Sequence, residues 1–147
     1  MHKIRPWLYT GNIRATEDRD LLKHHNVTAM LQLHRAVEQP GIVSLYLPVD
    51  DGYAIPKHLL VKGIAFIKEQ HATGKTLLVA CGAGISRSSA FATAGLVAIE
   101  ALPLRDAFWA VREANPKAMP DEVQWQALTA HFDDDTDFWD LWWDAEM

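Results

Sequence analysis

A single cysteine and an arginine six positions later enclose a short loop of mostly small residues. The loop begins at Cys81, ends at Arg87 and is followed by Ser88. Its interior residues are Gly82, Ala83, Gly84, Ile85 and Ser86. Glycines let a backbone curl so that successive N–H groups point inward and form a concave nest for an anion. We therefore predict that residues 82–87 bind an oxyanion such as phosphate.

Cys81 would be the nucleophile at the rim of this nest. Converging N–H donors and a following helix N-terminus favour the thiolate over the thiol, and a thiolate is a strong nucleophile. The planar guanidinium of Arg87 can hold two phosphate oxygens while the sulfur attacks phosphorus in line. Since this spacing often occurs by chance, the prediction depends on its context of strand, glycine-rich loop and apolar helix. A buried, unreactive cysteine is the alternative.

Alternating strands and helices must position the loop. We predict strands over residues 7–9, 27–33, 42–49 and 76–79, and helices over residues 17–25, 56–73, 88–99, 104–115 and 120–131. The strands 27–33 and 42–49 are near-continuous apolar runs that suit buried positions, and Thr16 is the candidate N-cap of the first helix. The order predicts an α/β domain with a mostly parallel central sheet flanked by helices. Sites in such sheets form at the carboxyl ends of strands, where the cysteine loop lies.

These features resemble the cysteine-based protein phosphatases, and residues 83–88 are similar to the loop of the dual-specificity branch. The resemblance runs from Ile4 to the helix that ends near His131. It implies hydrolysis of phosphomonoesters through a phosphocysteine intermediate, without a metal. It also implies that Ser88 hydrogen-bonds the sulfur and helps it to leave, although this hydroxyl would equally suit a helix N-cap.

The resemblance further implies a general acid on a loop about thirty residues before the cysteine. The matching stretch, residues 49–56, contains both Asp50 and Asp51. We favour Asp51, because the family's acid commonly precedes a turn residue and lies a few positions before a proline; Asp50 is the reserve. A positioned acid contributes roughly a hundred- to ten-thousand-fold to such a reaction. Without the cysteine loop, the pair would indicate only an Asp-Gly turn.

Ala80 departs from the family pattern, in which a histidine directly precedes the cysteine and orders the loop. We expect an active enzyme with weaker thiolate character, and we expect neither a metal nor another cofactor. One alternative is a silent phosphate-binding module, for which Ala80 is the supporting feature. Another is a rhodanese-like sulfurtransferase. Arsenate reduction usually needs further cysteines, which this chain lacks.

Composition indicates one globular domain in the cytoplasm. The 147 residues carry a net charge of −5, which disfavours binding to nucleic acid or to an acidic membrane surface. The single cysteine fits a reducing compartment.

The substrate prediction depends on the charge of the cysteine loop. Because the loop contains no lysine, it favours phosphotyrosine, phosphoserine or phosphothreonine in proteins over inositol phosphates. A small phosphomonoester is the alternative substrate, and the oligomeric state is not predicted. Asp106 and Arg112 are expected to be surface charges on a helix.

The chain ends in an acidic segment rich in aromatic residues. We assign residues 1–132 to the phosphatase-like domain and residues 133–147 to this tail. Phe138, Leu141 and Trp142 fall on one face of a short amphipathic helix, which indicates docking against the domain. A surface for a partner or for self-association is the second interpretation.

Overall fold

Five short strands form the central sheet of the computed structural model, which describes residues 1–147. They are β1 (His2–Arg5), β2 (Leu8–Gly11), β3 (Ala29–Gln32), β4 (Val43–Tyr46) and β5 (Leu77–Ala80). The spatial order is β1-β2-β5-β3-β4, and only the β1–β2 pair is antiparallel. The predicted mostly parallel sheet is confirmed, with β1 as an additional edge strand.

Seven helices cover the two faces of the sheet. They are α1 (Ile13–Glu17), α2 (Arg19–His24), α3 (Lys57–Ala72), α4 (Arg87–Glu100), α5 (Leu104–Ala114), α6 (Glu122–Phe132) and α7 (Phe138–Glu146). Successive side chains of a strand face opposite sides, so Leu77 and Val79 join a large core with α3 to α7. Leu78 and Ala80 join a smaller cluster with α1 and α2. Strand β5 is therefore buried on both faces.

The first helical prediction was wrong in its boundaries. Residues 17–25 do not form one helix, because Asp18 ends α1 and begins α2. The Asp18 carboxylate accepts a hydrogen bond from the Leu21 N–H at 3.0 Å, which makes Asp18 the N-cap. Thr16 lies inside α1, and its hydroxyl donates to the Ile13 carbonyl at 2.6 Å.

The prediction of a buried strand over residues 42–49 was also wrong. Only β4 is extended, and it pairs with β3 alone because it is the outermost strand of the sheet. Val43 and Tyr46 are 46% and 40% exposed. The apolar character of the rest of the run has another cause: Leu47 and Val49, which follow the strand, are buried in the large core.

Helix α4 lies at the centre of the domain, as its uniformly apolar sequence predicts. Its residues from Arg87 to Leu96 are all buried. It approaches α3 so closely that a Cβ atom on Gly95 would lie 2.8 Å from Cγ2 of Ile67. A Cβ atom on Gly63 of α3 would overlap the ring of Phe91. Two glycines, one on each helix, therefore permit this contact, which fixes the helix behind the cysteine loop.

The C-terminal helix α7 packs on the domain through Phe138 and Leu141, which are both buried. Arg112 of α5 holds its end: the guanidinium donates to the Ala145 carbonyl at 3.0 Å and to Glu146 at 3.1 Å. The same group donates to the Ala118 carbonyl at 2.9 Å, so the expectation that Arg112 is a surface charge was wrong. None of the helices combines the length and apolar character needed to cross a bilayer.

Candidate active site

The cysteine loop joins the carboxyl end of β5 to the N-terminus of α4. Three of its carbonyl groups accept hydrogen bonds from neighbouring segments. The Ile13 N–H donates to the Gly82 carbonyl at 3.2 Å, the Asn115 side-chain amide to the Gly84 carbonyl at 3.2 Å, and the Met119 N–H to the Ile85 carbonyl at 3.1 Å. The N–H groups of residues 82–86 donate to no backbone acceptor. These N–H groups are therefore not used within the protein backbone, as the predicted anion-binding nest requires.

Two features of the loop require a glycine at position 84. Its φ of +74° lies in the left-handed region, which strongly favours glycine. A Cβ atom there would lie 2.8 Å from the carbonyl carbon of Gly11 and 2.9 Å from the nitrogen of Asn12. The loop therefore rests directly on the backbone at the end of β2, at Gly11 and Asn12.

Cys81 and Ser88 are in contact at the base of the nest. The Cys81 thiol is buried and lies 3.3 Å from the Ser88 hydroxyl, while the Ser88 N–H donates to the sulfur at 3.4 Å. Ser88 is the second residue of α4, so its alternative role as helix N-cap was wrong. Ser86 occupies the capping position.

The Arg87 side chain is buried and is anchored by two backbone carbonyls. Its Nη1 donates to the Val49 carbonyl at 2.8 Å and is 3.4 Å from the Leu33 carbonyl. Nη2 lies on the loop side, 3.1 Å from where a Cβ atom on Gly82 would be. Nε is buried without a hydrogen-bond partner. The anchoring fixes the guanidinium beside the nest.

Of the two candidate acids, Asp51 is the one in contact with the loop. Its carboxylate accepts a hydrogen bond from the Ser86 hydroxyl at 3.2 Å and lies 3.7 Å from Nε of Arg87. The Asp51 side chain is 65% exposed. Asp50 also lines the cleft of about 220 Å³ beside Arg87. The Asp50 carbonyl accepts the Tyr53 N–H at 3.3 Å, which closes the turn.

Sequence reasoning missed several residues that surround the loop. Asn115 and Met119 hold loop carbonyls, and the His34 ring flanks Gly82. Asp121 lies beside the Asp51 turn: burial raises the pKa of its carboxyl, and the charge of Asp51 raises that pKa further. An N-cap pattern before α6 could have singled out Asp121, but no local signal connects it to the cysteine loop.

Ala80 is the last residue of β5, and its side chain is 2% exposed. It packs in the smaller cluster with Tyr9 and Met30, so no imidazole supports the cysteine from this position. The chain contains no group of three or more His, Cys, Asp or Glu residues arranged to hold a metal ion.

Comparison with known proteins decides the family. Residues 8–134 match the family model described as the dual specificity phosphatase catalytic domain. The chain belongs to this family. Dual specificity protein phosphatase 22-B of Danio rerio is 31% identical over 123 residues, which cover 82% of this chain and 67% of that protein. The chain spans between 39% and 67% of the length of several curated relatives that it matches.

Solved structures of dual specificity phosphatases have the same fold. The crystal structure of human DUSP28 gives a TM-score of 0.84 at 28% identity and covers 90% of this chain and 96% of that one. The crystal structure of DUSP15 gives a TM-score of 0.82 at 29% identity and covers 99% of this chain and 90% of that one. The predicted fold class and the predicted class of cysteine-dependent phosphatase are confirmed. Neither a sulfurtransferase nor a silent binding module is favoured.

Proposed function

We propose that this dual specificity phosphatase domain hydrolyses phosphotyrosine, phosphoserine or phosphothreonine in proteins through a phosphocysteine at Cys81. The observation that carries the proposal is the nest: three loop carbonyls accept hydrogen bonds from neighbouring segments, and the N–H groups of residues 82–86 have no backbone acceptor. These donors and the anchored Arg87 would surround the three terminal oxygens of a phosphate. The buried sulfur of Cys81 would face the phosphorus atom.

In the first step, the Cys81 thiolate forms an S–P bond while the bond from phosphorus to the ester oxygen breaks. Asp51 donates a proton to that oxygen, since expelling an unprotonated alkoxide is costly. In the second step, a water molecule attacks phosphorus, and the Asp51 carboxylate accepts its proton. The S–P bond then breaks, inorganic phosphate leaves, and the Ser88 hydroxyl stabilises the departing thiolate.

The surroundings of the loop support a protein substrate. The cleft beside Arg87 is lined by the aspartates of the acid loop, by Tyr46 and by His34, with no lysine. Such a wall suits a single phosphate on an otherwise uncharged side chain better than a polyphosphorylated ring. A small phosphomonoester is the alternative substrate.

The proposed location is the cytoplasm, and neither nucleic acid nor membrane is a proposed partner. The support is the net charge of −5, which repels other polyanions, and the use of a free thiol as nucleophile. Phosphorylated substrates are the partners that the family implies.

The test is metal-free hydrolysis of an aryl phosphate and of phosphotyrosine peptides across pH. Cys81→Ser should abolish turnover but retain binding of inorganic phosphate, which forms no bond to the sulfur. Asp51→Asn should lower phosphotyrosine turnover by roughly a hundredfold or more and flatten the alkaline limb of the pH profile. Asp50→Asn is the matched control and should keep the native phosphotyrosine turnover and the alkaline limb of the pH profile. Equal losses in the two aspartate variants, or full activity in Cys81→Ser, would contradict the proposal.

A further inference from the structure

The turn that carries the proposed acid makes few hydrogen bonds. The Asp51 side chain is 65% exposed, and its single hydrogen bond comes from the Ser86 hydroxyl. Within the turn, the Tyr53 N–H donates to the Asp50 carbonyl at 3.3 Å, and Gly52 has a left-handed φ of +77°. A short exposed turn of this kind needs outside support if it is to hold a proton donor in place.

Asp121 lies directly against this turn. Its Oδ2 atom is 3.9 Å from the position that a Cβ atom on Gly52 would occupy. Burial and the charge of Asp51 raise the pKa of its carboxyl, whereas the Gly52 N–H and the charge of Arg87 lower it. An acceptor oxygen on Asp121 can therefore hold the turn through the Gly52 N–H.

Asp121 is held in place at the start of α6. It immediately precedes α6, and its N–H donates at 3.3 Å to Oε1 of Gln124, which is fully buried. The same segment contacts the cysteine loop, because Asn115 and Met119 bind the carbonyls of Gly84 and Ile85. Residues 115–121 thus contact both the nucleophile's loop and the acid's turn.

We propose that Asp121 is a positioning residue for the general acid, holding the Asp51-Gly52 turn at a fixed place over the phosphate loop. The proposal rests on the function proposed above, since it assigns a support to Asp51 in that mechanism. It predicts that losing Asp121 impairs proton donation while leaving the nucleophile intact.

The experiment compares Asp121→Ser with Asp121→Asn. Both residues are good helix N-caps, so both variants should keep α6. Asparagine keeps an acceptor oxygen at the same reach, whereas the serine hydroxyl is too short to support Gly52. Glu122→Gln, one residue further along, is the matched control.

Leaving-group dependence is the readout. Proton donation matters for poor leaving groups such as tyrosine or phenol and little for strongly acidic phenols. Asp121→Ser should lower kcat on phenyl phosphate and on a phosphotyrosine peptide about tenfold, which is part of the full contribution of an acid, and should change kcat on an activated aryl phosphate by less than about threefold. Asp121→Asn should regain most of the loss, and Glu122→Gln should match the native protein.

A loss in Asp121→Ser that is equal for good and poor leaving groups, no loss, or no recovery in Asp121→Asn would overturn the proposal. Asp51→Asn, measured beside these variants, separates it from the proposed function. If Asp51→Asn keeps the native leaving-group dependence, the assignment of Asp51 as acid fails. A selective loss in Asp121→Ser would then make Asp121 the donor itself, and its positioning role would be wrong as well.

Discussion

At the scale of single residues, the site depends on where backbone groups point. The carbonyls of Gly82, Gly84 and Ile85 all accept hydrogen bonds from donors outside the loop, and the N–H groups of residues 82–86 have no backbone acceptor. Gly84 is the loop residue with a left-handed backbone. The loop can close only because no side chain stands between it and the backbone at Gly11.

Gly84→Ala is expected to disrupt phosphate binding. The substitution adds left-handed strain of about 1–2 kcal/mol and a contact with rigid backbone. Vanadate inhibition and turnover should both weaken at least tenfold, since Gly84 is part of the nest. Gly74→Ala is the matched control, because Gly74 has the same φ of +74° with open space around it. Comparable kinetic losses in the two variants would contradict this account.

Cys81 and Arg87 could be predicted from the sequence, because one loop with its flanking strand and helix contains the nucleophile and the phosphate ligands. The acid loop was predicted only through the family resemblance. Asn115 and Asp121 could not be predicted. Their importance comes from carbonyl and N–H groups some thirty to seventy residues earlier in the chain, and each also has an ordinary local explanation at a helix end. Only the tertiary arrangement distinguishes a residue that supports the site from one that merely ends or begins a helix.

At the scale of elements, the contact between α3 and α4 determines where the N-terminus of α4 points. Helix α4 was predictable because its apolar residues leave no polar face. Strand β1 was not, because His2, Lys3 and Arg5 interrupt the apolar pattern and the strand pairs only along one edge. The β4 error has a related cause: an apolar run was divided between an exposed edge strand and a buried turn.

Gly95→Ala is expected to destabilise the domain. Alanine improves helix propensity by about 1 kcal/mol, but overpacking against Ile67 costs about 1–3 kcal/mol, so the clash should dominate. Urea unfolding monitored by tryptophan fluorescence would measure the change. Gly95→Ala should cost less in an Ile67→Ala background, because alanine lacks both the Cγ2 atom at 2.8 Å and the Cδ1 atom at 3.1 Å from the added Cβ. A more stable single variant would show that the two helices separate freely.

At the scale of the whole molecule, α7 extends the large core beyond the family match. Leu141 is fully buried in that core, whereas Trp143 on the same helix is 59% exposed. Arg112 connects the end of α7 to Ala118, which lies between the residues that hold the cysteine loop. The tail is thus linked to the site through a short chain of contacts.

Leu141→Ala should lower the free energy of unfolding by about 2–5 kcal/mol, the usual cost of a leucine cavity in a core. Trp143→Ala is the control on the same helix and should change it by no more than about 0.5 kcal/mol. Thermal or urea unfolding would distinguish them. Equal effects would mean that α7 is not docked in solution.

Asp121 also predicts how stability changes with pH. Its folded pKa is raised above the ordinary value of 3.8, so the folded state binds more protons than the unfolded state between the two values. Stability attributable to this group is therefore lost as pH rises through that window. Asp121→Asn should be more stable than the native protein at pH 7 and should lose that advantage below about pH 4. Urea midpoints across pH would show a constant difference if this linkage were absent.

Because Cys81 is the only cysteine of the chain, the domain has no internal partner for an oxidised sulfur. A sulfenic acid formed at the nucleophile could not be protected as an intramolecular disulfide. Its reversible fates are a bond to a neighbouring backbone nitrogen or capture by an external thiol such as glutathione, and further oxidation is irreversible. Recovery of this domain from peroxide would therefore depend on thiols outside it.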